Sequence, residues 1–177
     1  MRFGARGPSL GAVVLLAILV VALVRGCDDE GGDGSERGRG PTPAGEEVSG
    51  DVVGVTDGDT IEVELGEGVE DVRYIGIDTP EVDPNIGVEC FGKQASDLNA
   101  ELVEGRRVRL VFDAERRDRY DRLLAYVYAG KTFVNEELLR RGAARTLTIE
   151  PNDSFAERFA RIAQEAANVG RGLWGAC

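Results

Sequence analysis

The chain has 177 residues, a formal net charge of −11 and no histidine, which removes His-based general acid–base chemistry, Ser-His-Asp triads and HExxH zinc sites. Its three cysteines, Cys27, Cys90 and Cys177, are too few and too scattered for a zinc site. The acidic balance argues against a polyphosphate partner; yet only Lys93 and Lys131 of the 21 basic residues are lysine, and an acidic, Lys-poor surface suits high salt, where screening lets a local arginine cluster hold a phosphate.

At the amino end, Arg2 and Arg6 precede a fourteen-residue apolar run from Gly11 to Val24, followed by Arg25, Gly26 and Cys27. That is short for a membrane span and suits the apolar region of a signal peptide, so residues 1–26 read as a signal peptide or membrane anchor. Leu23-Val24-Arg25-Gly26-Cys27 resembles a lipobox, with Cys27 as the lipidated residue. An uncleaved anchor and plain cleaved secretion are the alternatives. Residues 27–47 are rich in Gly, Pro and charge and lack large apolar side chains, the composition of a disordered tether. Residues 48–177 remain for one folded domain.

Within it, Val52 to Val55 and the alternating Ile61 to Leu65 read as strands joined by the turn Asp57-Gly58-Asp59. A third strand alternates from Val72 to Ile77 and stops at Asp78-Thr79-Pro80-Glu81, where Pro80 ends the ladder. Lys93 to Glu104 carries Ala95, Leu98, Leu102 and Val103 on one helical face before Gly105. Strands follow at Arg107 to Asp113 and Leu123 to Tyr128, then a helix from Asn135 to Arg141. A third helix opens on Ser154-Phe155-Ala156-Glu157, a capping-box pattern, and buries Phe155, Phe159, Ile162, Ala166 and Val169. Five short strands with a helix after the third predict a mainly β fold with α elements: a five-stranded OB-fold barrel with three packed helices.

Adjacent strands would bring the two acidic turns together, so that Asp59 and Asp78 converge. Two carboxylates with a backbone carbonyl form the hard oxygen shell that Ca²⁺ takes. An EF-hand is excluded, because the loop from Asp57 has Ile61 and Glu62 where an acidic ligand and Gly are required. Arg73, five residues before Asp78, places a phosphate-binding guanidinium beside the carboxylates.

The segments VTDGDT, RYIGIDTPE, FGKQA, DRYDRLLAYV, VNEELLRRGAA, EPND and GLW occur in the order and spacing of the staphylococcal nuclease-like (thermonuclease) family, which the chain resembles over about residues 50 to 175. The resemblance implies an OB-fold, Ca²⁺-dependent phosphodiesterase that cuts DNA and RNA to products ending in 3′-phosphate. It implies Asp59, Asp78 and the Thr79 carbonyl as metal ligands, Glu81 on the attacking water, and Arg73 and Arg122 on the scissile phosphate. Tyr120 matches a hydroxyl that contacts a terminal phosphate, with Arg119 assisting. The chain departs from the family at Leu147 and Ile149, where tyrosines line the nucleotide pocket, and at Asp121, where Gly is common and a carboxylate could draw Arg122 aside. A Cys90–Cys177 disulfide is expected if the carboxyl terminus folds back over the loop after the metal turn, leaving Cys27 as the odd cysteine; otherwise both are free thiols. The implied protein is monomeric and exported, secreted or held at the membrane through its N-terminal anchor or lipid. The alternative is a non-catalytic nucleic-acid-binding OB module on the cell surface.

Overall fold

The computed structural model describes Met1, Gly4 and residues 45–83 and 87–177. The apolar run at 11–24, Cys27 and nearly all of the tether lie outside the described residues. Among those described, no helix is long and apolar enough to cross a membrane.

In chain order the elements are β1 (Glu47–Val55), β2 (Thr60–Leu65), β3 (Gly68–Tyr74), β4 (Gly76–Asp78), β5 (Val82–Asp83), β6 (Gly87–Val88), α1 (Gly92–Val103), β7 (Arg107–Val111), β8 (Leu123–Ala129), β9 (Thr132–Phe133), α2 (Val134–Arg140), β10 (Arg145–Leu147), α3 (Ala156–Asn168) and α4 (Leu173–Ala176). β1 is long enough to serve two neighbours: Asp51 to Val55 pair with β2, and Glu47 to Asp51 pair with β7. β2 pairs with β3 and β7 with β8, all antiparallel. A parallel ladder between β3 and β8, with Arg73 opposite Leu124, closes the five strands into a barrel. This is the expected OB-fold, and closure leaves its principal strands without free edges.

Alternation sorts the side chains. Ile61, Val63, Val72, Leu110, Ala125 and Val127 are all fully buried. β8 is covered on its other face too, because Tyr126 meets Phe133, Phe155 and Phe159 edge-on, with ring centroids 4.7 to 6.1 Å apart. That explains the nearly unbroken apolar run from Leu123 to Ala129. Asn135 joins α2 to the barrel: its Oδ1 accepts the Val127 amide and its Nδ2 donates to the Ile75 carbonyl, each at 2.9 Å.

Four local expectations change. Order begins before Val48, since Glu47 already pairs with Val111 and the Phe112 amide donates to the Glu46 carbonyl. The third strand is broken at Ile75, because Gly76 takes φ +80 and a Cβ there would stand 2.8 Å from the Phe159 ring. The chain then leaves the barrel and pairs with β10 as β4. The Ser154 capping box does not form: the Ser154 hydroxyl donates to Asp113 at 2.9 Å, and α3 begins at Ala156 without a side-chain cap. Val169 falls past the last turn of α3 and is exposed.

Candidate active site

The Asp57-Gly58-Asp59 turn is closed from within. Asp57 Oδ1 accepts the Asp59 amide at 2.9 Å, the Asx-turn geometry expected of this residue, and Asn99 Nδ2 donates to the Asp57 carbonyl at 2.9 Å. The turn aims Asp59 inward, where it is 2 % exposed. Its Oδ2 accepts the Thr79 amide at 2.7 Å and the Thr79 hydroxyl at 3.1 Å. The two acidic turns are thus joined by direct hydrogen bonds.

Arg73 lies between the carboxylates. Its Nε stands 3.1 Å from Asp59 Oδ1, and its Nη2 is 2.9 Å from Asp78 Oδ1. Nη1 donates to the carbonyls of Tyr74 and Ile77, at 3.0 and 2.9 Å, on both sides of the Gly76 turn. The guanidinium therefore fixes the same chain reversal that presents Asp78. Burial pushes the Asp59 carboxyl up to about 7, opposed by Arg73 and aided by Asp57. Glu81 is exposed, and its carboxyl is also raised, first by partial desolvation and then by Asp57 and Asp78. Four carboxylates acting on one another around one guanidinium leave an excess of negative charge. Among the described residues no three His, Cys, Asp or Glu side chains already converge as a cage. The donor chemistry nevertheless fits a hard cation: a buried carboxylate, a half-exposed one and a backbone carbonyl, all oxygen.

Arg122 is oriented by Asp118, a residue without a role in the sequence reading. Its Nε and Nη2 both lie 2.8 Å from Asp118 Oδ2, while the amides of Tyr120 and Arg122 donate to Oδ1. Burial opposes ionisation of Asp118, but Arg122 and those amides outweigh it and hold the carboxyl below its ordinary range. Asp121 does not draw Arg122 aside: it is exposed, and its carboxylate lies 3.6 Å from Arg117. Its φ of +68 is the left-handed conformation that glycine adopts freely, which accounts for a glycine being suited to this position. Only the four-residue spacing of Asp118 and Arg122 in DRYDR signalled their pairing.

Arg73 and Arg122 line one cleft of about 560 Å³, together with Arg119, Tyr120, Leu147 and Ile149. Arg119 Nη2 donates to the Tyr120 hydroxyl at 2.6 Å. Leu147 and Ile149 supply an exposed aliphatic wall. Asn152 secures the far side by bonding both the amide and the carbonyl of Glu115, at 2.8 and 2.9 Å. Cys90 and Cys177 are joined as a disulfide.

A closed barrel with a carboxylate–arginine cluster beside an arginine-lined cleft defines the class: an OB-fold protein. The sequence model of the staphylococcal nuclease homologue family matches residues 71–176. The chain is 34 % identical over 165 residues to the thermonuclease of Staphylococcus hyicus, covering 93 % of this chain and 95 % of that protein. It is 37 % identical to the thermonuclease of Staphylococcus intermedius, across 92 % and 95 % of the two chains. It is also 45 % identical over 121 residues to the SPbeta prophage-derived endonuclease YokF of Bacillus subtilis, covering 67 % of this chain and 41 % of that protein. The chain belongs to the staphylococcal nuclease family.

Proposed function

We propose that this protein is an exported, calcium-dependent nuclease that hydrolyses phosphodiester bonds of DNA, RNA or both by in-line attack of water, leaving 3′-phosphate ends. The relatives named as thermonucleases and an endonuclease support the activity. The observation that carries the reading is the placement of Arg73 between Asp59 and Asp78, in a cleft it shares with Arg122.

In this reading Asp59, Asp78 and the Thr79 carbonyl hold the ion. Bound there, calcium supplies positive charge to a phosphoryl oxygen and helps to organise the attacking water. Glu81 receives a proton from that water or orients it; with no histidine in the chain, a carboxylate with a raised proton affinity is the natural acceptor. Arg73 and Arg122 turn their planar donor arrays to the phosphoryl oxygens, where negative charge grows as the water oxygen bonds to phosphorus and the bond to the 5′ oxygen breaks. Asp118 keeps Arg122 aimed. Arg119 and Tyr120 contact a terminal phosphate. Leu147 and Ile149 give the base an aliphatic contact in place of aromatic stacking, which contributes about 1–3 kcal/mol per base where it is present.

Export rests on the signal-like or anchoring segment at 1–26, with Cys27 as a lipidation site and 27–47 as the tether. The disulfide supports an oxidising compartment. Mass spectrometry of the mature amino terminus distinguishes a lipidated Cys27 from cleavage or retention. The activity is tested by incubating the purified chain with DNA and RNA, with calcium or with a chelator. Calcium-stimulated, chelator-sensitive cleavage is expected, and Arg73→Ala and Glu81→Gln are each expected to lower turnover by about 10²- to 10³-fold or more. A folded wild-type protein that binds nucleic acid without cutting it would establish the non-catalytic module instead.

A further inference from the structure

The final residue of the chain is bonded to the loop that follows Glu81. Cys177 and Cys90 are 87 residues apart in sequence, with Cα atoms at 6.0 Å. The carboxyl end is itself firmly seated: Leu173 is buried and its amide donates to the Gly142 carbonyl at 2.8 Å, while Arg171 Nη1 donates to the Arg140 carbonyl at 2.8 Å. The disulfide therefore fastens Cys90 to a fixed body.

The neighbours of Cys90 hold the Glu81 peptide from both sides. Glu89 Oε2 accepts the Glu81 amide at 3.1 Å, and the Glu89 amide donates to the Glu81 carbonyl at 2.9 Å. Gly92 approaches so closely that a Cβ there would stand 2.6 Å from the same carbonyl. Among the described residues the segment has only a short ladder of its own. β5 and β6 are two residues each, and Val82 and Val88 are exposed, far short of what an isolated hairpin needs to hold its shape. The same carboxyl end reaches β10 beside the second turn: the Arg145 guanidinium lies 5.6 Å from the Trp174 ring centroid, and Arg145 is the register partner of Asp78.

We propose that the Cys90–Cys177 disulfide, assisted by Trp174, is a positioning device for Glu81 and Asp78, so that full nuclease turnover requires the oxidised chain. The proposal rests on the roles given to Glu81 and Asp78 above. Its physical basis is precision: a displacement of a reacting group by about 1 Å costs on the order of 100-fold in rate, and the hydrogen bonds of an exposed two-strand segment do not enforce that tolerance unaided. Both half-cystines are exposed, so a small thiol reaches the bond. The protein would be nearly silent while its cysteines are reduced and become active after oxidation outside the cell.

The test compares three forms of the full chain: oxidised wild type, wild type treated with a dithiol, and Cys90→Ser combined with Cys177→Ser. The dithiol reduces the disulfide to two thiols and is itself oxidised to a cyclic disulfide. At saturating calcium, loss of the bond is expected to lower kcat by about 10- to 100-fold with KM for DNA unchanged, and to speed amide hydrogen exchange across residues 81–92 without speeding it in β8. Gly92→Ala, which presses on the Glu81 carbonyl with the bond intact, is expected to lower kcat in the same manner. Trp174→Ala should give a smaller loss that Trp174→Phe restores. An unchanged kcat in the reduced protein and in the double variant overturns the proposal, as does unchanged exchange across 81–92. An oxidised wild type that cuts no DNA overturns the nuclease reading itself, and hydrogen exchange still decides whether the bond holds the segment.

Discussion

Arg73 and Asp59 depend on each other in a way that sets how the site responds to pH. Asp59 is almost wholly buried, and Arg73 is the cation that compensates it. Replacing Arg73 by Ala should therefore destabilise the calcium-free protein by about 3–5 kcal/mol when Asp59 is ionised. The loss should be smaller near pH 5 than near pH 8, because the folded-state carboxyl is raised to about 7 and is largely neutral at the lower pH. The sign follows from linkage: between the ordinary carboxylate range and about 7 the unfolded chain has released a proton that the folded chain retains, so the contribution of Asp59 to stability declines as pH rises through that window. Urea titrations of wild type and Arg73→Ala at the two pH values, in chelator, measure this directly. In the proposed function, calcium binding at Asp59 runs the other way. It needs the ionised carboxylate, so apparent affinity should rise as pH approaches about 7, with proton release. Calorimetry in two buffers of different ionisation enthalpy reports that release, and a proton-neutral, pH-independent binding event would contradict the assignment of Asp59 as a ligand.

Individual turns decide what the elements present. The DGD and DTPE turns were recognisable from Gly, Pro and Asp placed between alternating runs. The break at Ile75 was not, because Val72 to Ile77 alternates without a gap and only the ring of Phe159 shows why Gly76 is required. Gly76→Ala should thus cost about 1–3 kcal/mol by overpacking, with added backbone strain, and loosen β4 from β10. Denaturant unfolding measures the cost. Asp121 presents the opposite case. Asp121→Gly removes a left-handed Asp and should stabilise the protein by about 1 kcal/mol, leaving turnover intact because Asp118, not Asp121, orients Arg122. A large fall in kcat on that substitution would show that the turn backbone contributes to aiming Arg122. The Ser154 box failed for a tertiary reason: Asp113, 41 residues earlier, captures the hydroxyl that would have capped α3.

Across the whole molecule, a charge of −11 would meet the polyanionic substrate of the proposed function. Most nucleic-acid binders weaken as salt rises, because their phosphate contacts release counterions. Here long-range repulsion should dominate the encounter, while Arg73, Arg119 and Arg122 act only at short range. We therefore expect kcat/KM on DNA to rise between about 0.01 and about 0.1 M salt, as the Debye length contracts from about 30 to about 10 Å. Steady-state rates across that range decide it, a monotonic fall being the contrary result.

The sequence by itself determined the barrel class, most of the helical and strand faces, and the residue types at Asp59, Arg73, Asp78, Glu81 and Arg122. Those features are written in local periodicity and in turn chemistry, which reach only a few residues along the chain. Tertiary structure decided which groups meet. Closure of β3 on β8 carries Arg73 to the cleft that Arg122 lines, the inward turn at Asp59 places its carboxylate on Thr79 and Arg73, and the seated carboxyl end brings Cys177 to Cys90. Asn99 and Asn135 also gained their roles there, because the partners of a buried polar side chain are fixed by packing across the fold rather than by its neighbours in sequence.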